Sequence, residues 1–431
     1  MIRLSYILGM ICCFVFLGMA VQYVPPTKGV AHSKNACSLY MAEDYHPSVA
    51  GRILDNYTDA TMMLVANGVK DEAGWQTFFN NPLYTVYKQQ PDWIDIFPLE
   101  TICRDDLEYY KIYYPRYWHG YQIFLRPLLY FTDYQHIRQI NLYLQVWLFG
   151  LILWLMWQNK AKGLMLGWAL SYFIFNPEAM AMNMTYSILY YVSAVSMILM
   201  LTCREWIKER LGYPIFFAMI GICTCFFDFL TYPIVPLATS LTLLFYLEPE
   251  TEFKSMFKRL LVLTLCFGGA YVGMWVLKWI LASLLTEQNV VADVFNALLN
   301  RSTSQMRYVL KGKEVITEYT RGFAIVATWR VLFAIPETVA AATWSFILSL
   351  APLVWRAKKT WLYAKNNSVT LLPFVAIATS TLFWCFIVGG HPLQHASYTY
   401  RLWVATFFPL IVMLNFWYIK SKEADNAQTQ G

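Results

Sequence analysis

The sequence predicts an all-α polytopic integral membrane protein with about ten transmembrane helices. Three observations carry that expectation: a lipid-like composition, apolar windows of spanning length, and an alternation of basic and Lys/Arg-free connections. Of 431 residues, 58% are hydrophobic and 14% charged, with a mean hydropathy of +0.40. Soluble domains run nearer a quarter charged. Aromatic residues reach 18%, with 17 Trp and 30 Tyr, as expected of rings gathered at bilayer interfaces.

The elements follow in order. Residues 4–23 form an apolar run after one early Arg3, with no small-x-small cleavage site before Pro25-Pro26. The run is long enough to span, so residues 1–23 read as an uncleaved first transmembrane helix. Residues 24–137 read as a long loop with short helices. Six spans fill residues 138–285, near 138–158, 163–176, 184–203, 212–229, 231–248 and 258–285. The second of these is short and breaks at Asn176-Pro177. A second long loop covers residues 286–333, and its end, RGFAIVATWRVLFA (321–334), carries Arg321 and Arg330 and reads as a surface segment. Three last spans, 334–355, 369–388 and 402–419, fill residues 334–419, and a polar tail covers 420–431.

Lys and Arg set the orientation. With the N-terminus in the cytoplasm, the inside connections are QNKAK, CREWIKER, EFKSMFKR, RAKKTWLYAK and the tail YIKSK, all basic. The short opposite connections, 176–183, 228–233 and 389–400, contain no Lys or Arg. Both termini are then cytoplasmic and both long loops extracytoplasmic. The formal charge of +6 follows from the inside loops and calls for no nucleic-acid partner. Glycine-rich phosphate loops are absent, which excludes a cytoplasmic nucleotide-driven engine. No repeat of 20 to 50 residues and no matched pair of broken helices suggests a transporter. Of nine Cys, only Cys37 and Cys103 lie in the first loop, where they could close a disulfide or remain two thiols.

Polar residues collect on the predicted outer side. The first loop holds Glu43-Asp44, then RILDNYTDAT with Asp55 and Asp59, then the aromatic stretch YYPRYWHGYQIFLRP with Arg116, His119 and Arg126. Asp228 and Tyr232 stand in CFFDFLTYP, and GGHPLQHASYTYRLW carries His391, His395, Tyr398 and Arg401. The bland alternatives are a solvated helix face for the two acids, an interfacial anchor for the aromatic stretch and a plain polar loop for the histidines. Asp228 resists such a reading, because a carboxylate in so apolar a run must be paired or used. Lys278 is the main ionisable group inside a span, and a snorkelling side chain would explain it.

Sugar transfer from a polyprenyl-phosphate carrier would need all of these groups. A carboxylate takes the acceptor proton. Cations or His near the surface hold the departing phosphate, and aromatic faces stack on sugar rings. Direct displacement would invert the anomeric carbon. At this point the chain resembles the GT-C membrane glycosyltransferases, which share the first span, the large acidic outer loop and the many following spans. As a motif, only LDNYTD carries the resemblance. It implies an acidic base in the first loop, Asp55 or Asp59, and leaves a divalent metal open. The departure is that many members place the acid soon after the first span, whereas Asp55 lies about thirty residues beyond it, so Glu43-Asp44 is a rival. The implied partners are the bilayer, a polyprenyl-phosphate-linked sugar donor and a glycan or lipid-linked acceptor, at a bacterial plasma membrane. Other readings are an O-antigen-polymerase-like or ligase-like enzyme, or a flippase of lipid-linked glycans.

Overall fold

The computed structural model describes residues 2–43, 48–49, 52–68, 74–89, 94–291, 294–295, 305–310, 313–320 and 322–430. Among these residues, seven helices are long and apolar enough to cross a membrane. An eighth arises if Arg204–Leu211 and Tyr213–Phe227, bent by 105° at Gly212, count as one broken span. Gly212 has φ +86°, a conformation that a side chain resists. The chain is therefore a helical membrane protein.

The helix α1 (Ile2–Ala20) leads into a folded first loop. Its elements are α2 (Pro26–Lys34), α3 (Cys37–Glu43), β1 (Ser48–Val49), β2 (Arg52–Ile53), α4 (Asn56–Asn67) and α5 (Thr77–Asn80), then β3 (Pro82–Gln89), β4 (Ile94–Phe97), α6 (Pro98–Cys103), β5 (Tyr110–Tyr113) and α7 (Gln122–Phe131). The short helices are as expected; the antiparallel sheet β4-β3-β5 was not foreseen. It pairs Val86 with Phe97 and Leu83 with Ile112. Its central strand contains LYTVY, a run of aromatic and β-branched residues that suits a pleated surface. Cys37 and Cys103 are disulfide-bonded and tie α3 to α6. Tyr40, Met62, Met63, Leu99, Leu125 and Leu129 build a small core for this loop, which it shares with Tyr134 and Ile137 of the bundle.

The bundle continues with α8 (Tyr134–Gln158), α9 (Met165–Phe175), α10 (Pro177–Met182), α11 (Met184–Thr202), α12 (Arg204–Trp206), α13 (Tyr213–Phe227), α14 (Ile234–Leu247) and the 33-residue α15 (Phe253–Leu285). After an antiparallel hairpin, Gln305–Leu310 with Lys313–Glu318, come Phe323–Phe333, Pro336–Trp355, Ala357–Ala378, Ser380–Ile387 and the C-terminal helix Val404–Gln430. Two of the ten apolar windows fall on shorter apolar helices, α9 with 11 residues and α14 with 14. Both sit inside the bundle. Trp168 and Phe175 of α9 pack with Tyr190 of α11 and Phe408 of the C-terminal helix. Outward-facing Trp147, Trp154, Leu265, Val272, Ile347 and Phe383 stay exposed, a lipid-facing belt that no soluble protein would tolerate over such an area. Gly221 sets the closest helix contact, since a Cβ there would overlap the Phe267 carbonyl of α15.

Candidate functional site

The two acids of RILDNYTDAT are both helix caps, at the ends of different helices. Asp55 is the N-cap of α4: its Oδ1 accepts from the Thr58 N–H at 3.0 Å and its Oδ2 from the Thr58 hydroxyl at 2.6 Å. Asp59 caps the first turn of α11 from outside. Its Oδ2 accepts from the Met184 N–H at 2.8 Å and from the Tyr134 hydroxyl, and its Oδ1 from the Thr185 N–H at 3.1 Å and hydroxyl at 2.9 Å. Those N–H groups are orphans of the helix start, and a carboxylate there meets the positive end of the helix dipole. Asn183 returns the contact, accepting the Asp55 N–H on its Oδ1 at 2.9 Å. Loop and bundle are thus cross-capped.

That contact also settles the Asn183 amide. With its oxygen committed to Asp55, its Nδ2 is buried with no acceptor among the described residues, on a residue that is 0% exposed. The Asn176 Nδ2 is likewise buried without an acceptor. Unpartnered buried donors are rare.

Glu43 is held in a bidentate pair by Arg138 of α8, at 2.7 and 2.9 Å. Asn56 bridges them, donating to Glu43 at 3.0 Å and accepting from Arg138 at 3.2 Å. The guanidinium lies 4.7 Å from the centre of the Tyr134 ring. Asp44 lies outside the described residues.

Arg126 and His119 help to dock the aromatic stretch. Arg126 donates to the Val24 carbonyl at 3.0 Å and to the Gln22 side chain and carbonyl at 2.8 and 3.1 Å, just past α1. His119 is buried among Tyr114, Tyr117, Tyr121 and Phe229. Burial, then the nearby Lys278 charge, pushes its pKa down to about 3. It is therefore neutral at pH 7 and is no cation. Its Nε2 lies 3.0 Å from the Tyr114 carbonyl and so carries the proton, which leaves Nδ1 to accept from the Tyr121 hydroxyl at 3.0 Å. Arg116 is half-buried, with its guanidinium 5.8 Å from the Tyr114 ring centre. Lys278 does not snorkel. It is 0% exposed, and its ammonium donates to the Phe78 and Phe79 carbonyls of α5, each at 3.0 Å, between the Phe78, Phe79 and Trp118 rings. An unpartnered helix C-terminus offers carbonyls that attract a cation.

The remaining predicted residues converge around Tyr186 of α11, which the sequence reading did not single out. Tyr186 feels the charges of both Asp55 and Arg401. Arg401 is 1% exposed; its guanidinium lies 3.9 Å from the Tyr186 ring centre and donates to the Phe175 carbonyl at 2.8 Å and the Tyr398 carbonyl at 3.3 Å. Among the described residues no carboxylate pairs with it. Tyr232 donates to the Tyr186 carbonyl. Asp228 folds the intervening turn, accepting from the Thr231 N–H at 3.0 and 3.1 Å and from its hydroxyl. His391 reaches the Leu230 carbonyl at 2.7 Å, and the His391, His395 and Tyr398 rings follow one another at 4.7 and 5.0 Å. Leu230 has φ +69°, unusual for a bulky side chain; Asn176 and His119 have φ +59° and +53°. Such strain gathers at working sites.

Sequence signals existed for some missed residues. Asn183 directly precedes the apolar run of α11 and reads as an N-cap; Arg138 opens a predicted span. Nothing marked Tyr186. Among the described residues, no three His, Cys, Asp or Glu side chains stand close enough to hold a metal ion. An apolar groove of about 630 Å³ lies apart from the acids, at the end of α1, lined by Phe16, Met19, Ala20, Tyr23 and Trp75. Comparison of the chain with protein-family models, curated proteins and solved structures finds no match.

Proposed function

We propose that this protein is a membrane glycosyltransferase of the GT-C type, moving a sugar from a polyprenyl-phosphate carrier to an extracytoplasmic glycan or lipid-linked acceptor. One observation carries the reading. A carboxylate from the first loop, Asp55, and a buried cation from the last, Arg401, both act electrostatically on one tyrosine, Tyr186, and among the described residues no carboxylate pairs with that cation.

The chemistry divides between them. Asp55 takes the proton of the acceptor hydroxyl as its oxygen attacks the anomeric carbon. The bond from that carbon to the phosphate oxygen breaks, the configuration inverts, and the polyprenyl phosphate leaves with the electron pair. Arg401 offsets the charge that develops on that phosphate. The Asn183 and Asn176 amides supply spare donors for sugar hydroxyls. The groove at the end of α1 offers an apolar seat for an isoprenoid tail beside the first loop.

The partners of the two rival acids count against them as the base. Asp59 receives four hydrogen bonds, which fill both oxygens. Glu43 is neutralised by Arg138. In a deletion strain complemented with Asp55→Asn, mass spectrometry of the envelope glycans should show a sugar lost. Its transfer rate should fall about 10²–10⁴-fold, as for loss of a general base. Asn caps a helix as well as Asp does, so the variant keeps its fold. Unchanged glycans at normal expression would remove Asp55 as the base.

A further inference from the structure

The end of the bundle opposite the first loop carries a second feature, independent of the proposed transfer. There the last turn of α8, the start of α9, Arg204 and the C-terminal helix enclose a groove of about 600 Å³. Five cations line it, Lys160, Lys162, Arg204, Lys420 and Lys422, against one carboxylate, Glu423.

The cations are under-neutralised in a way their neighbours are not. On the same end, Arg259 pairs with Glu248 at 2.6 Å and Glu250 at 3.0 Å. Lys359 pairs with Asp425 at 2.7 Å. In the groove, Glu423 is taken by Lys420 at 2.8 Å and Arg204 meets the exposed Glu205 at 3.2 Å. Among the described residues, no carboxylate stands within pairing distance of Lys160, Lys162 or Lys422. Loop charge that serves only to orient a chain needs no such enclosure.

The groove also has built features. Lys160 is presented from a left-handed backbone, φ +56°, and Lys162 is steadied over the Trp157 ring at 3.8 Å. Between them and the C-terminal helix stands Tyr246. Its hydroxyl accepts the Gly163 N–H at 3.1 Å, and among the described residues its own proton meets no acceptor. A Cβ at Gly163 would crowd that hydroxyl to 2.7 Å, so the glycine keeps the approach open. Several ammonium groups around a hydroxyl donor, at the end of an apolar bundle, match a phosphoryl group whose remainder runs into the membrane.

We propose that this groove is a binding site for a phosphoryl group, that of an anionic phospholipid headgroup, at the face of the membrane opposite the first loop. The test uses the purified full-length chain in zwitterionic detergent. Its thermal unfolding is followed as phosphatidylglycerol is titrated in, with phosphatidylcholine as the lipid control. Three chains are compared: wild type, Lys160→Gln/Lys162→Gln/Lys422→Gln, and Lys254→Gln/Lys258→Gln, which removes charge near the start of α15 outside the groove.

Saturable stabilisation by phosphatidylglycerol in wild type and in the α15 variant is expected, with apparent affinity weakened at least tenfold in the groove variant. Glycerol 3-phosphate at matched concentration separates the sources. An equal response to it keeps the phosphoryl site but makes the ligand a soluble phosphate ester; no response assigns the site to lipid. Equal responses in all three chains, or none in wild type, would overturn the proposal, because the groove would then be a surface field and not a site.

Discussion

Replacing Asp59 by Ala should undo the docking of the first loop, and the size of the effect can be worked from its partners. Four buried donors lose Asp59 as acceptor: the Met184 and Thr185 N–H groups outright, and the Tyr134 and Thr185 hydroxyls, which keep the Met182 carbonyl at 3.3 Å and the Met62 sulfur at 3.2 Å. A buried donor left unsatisfied costs about 1–3 kcal/mol, and loss of a helix cap alone about 1 kcal/mol. The four share one site and water will refill part of it, so the sum is not additive; about 3–5 kcal/mol is expected, as for breaking other buried charged networks. Asp59→Asn retains one oxygen acceptor and turns a donor toward the other two partners, so about half that loss should follow. Asp55→Asn keeps its own cap and should cost less than about 0.5 kcal/mol. Unfolding midpoints in mixed micelles, read by Trp fluorescence, rank the three variants, and protease sensitivity of the first loop reports where the loss falls. Equal midpoints for Asp59→Ala and wild type, with the loop still resistant, would refute the capping argument.

Three other outcomes follow. His119 has a folded pKa of about 3 against an ordinary 6.5, so the unfolded chain binds the proton first as pH falls. Stability is then full above about pH 6.5 and falls by roughly 2 kcal/mol between pH 6 and 4; His119→Asn, which tolerates the same φ, should flatten that acid limb of the unfolding midpoint. Reducing Cys37–Cys103, 66 residues apart, should lower the loop's stability by about 4 kcal/mol on the chain-entropy account, seen as new thiol labelling and faster proteolysis. Lys278→Ala strands the Phe78 and Phe79 carbonyls and should cost about 2–4 kcal/mol; hydrogen exchange across residues 77–81 should rise while the far end of α15 stays protected.

Most helices were legible because hydropathy and the Lys/Arg alternation act on whole segments. Hydropathy does not tell burial in protein from burial in lipid. Segments 163–176 and 231–248 are as apolar as spans, yet α9 and α14 bury their side chains against other helices, and α14 hides Thr239, Ser240 and Thr242 that no lipid-facing turn would carry. In the first loop, Asp55 and Asp59 stood out, but spacing of four suggested one shared face. Their actual partners are Thr58 and the start of α11, the second set by tertiary contact 125 residues away. Arg126, Glu43 and Lys278 were visible as charges and unreadable as roles, since their partners are largely backbone carbonyls or residues about a hundred or more positions distant. Tyr186 carried no signal in an apolar helix rich in Tyr.

A pattern connects these roles. Beside the packing of Phe78, Trp118, Tyr117 and Tyr121 on Phe226, Trp275 and Phe229, the first loop meets the bundle through polar groups at helix ends: Asp59 on α11, Asn183 on Asp55 and Lys278 on α5, with Arg126 on the turn after α1. Apolar contact alone would let a loop slide on a greasy surface, whereas capping bonds have one register, because each orphan N–H or carbonyl has one direction. The loop is therefore positioned to within a hydrogen bond against α11. Asp55 lies at that seam, one residue before α4 and bonded through its backbone to Asn183. Its carboxylate bonds Thr58 within its own first turn, so engaging an acceptor there disturbs a local cap and leaves the cross-caps intact. Asp59, Glu43 and Asp228 cannot be engaged without breaking the seam or the 228–231 turn. On the proposed reading, the acids that hold the architecture and the acid that takes the proton are distinct residues, and a substitution series across the four should separate loss of fold from loss of transfer.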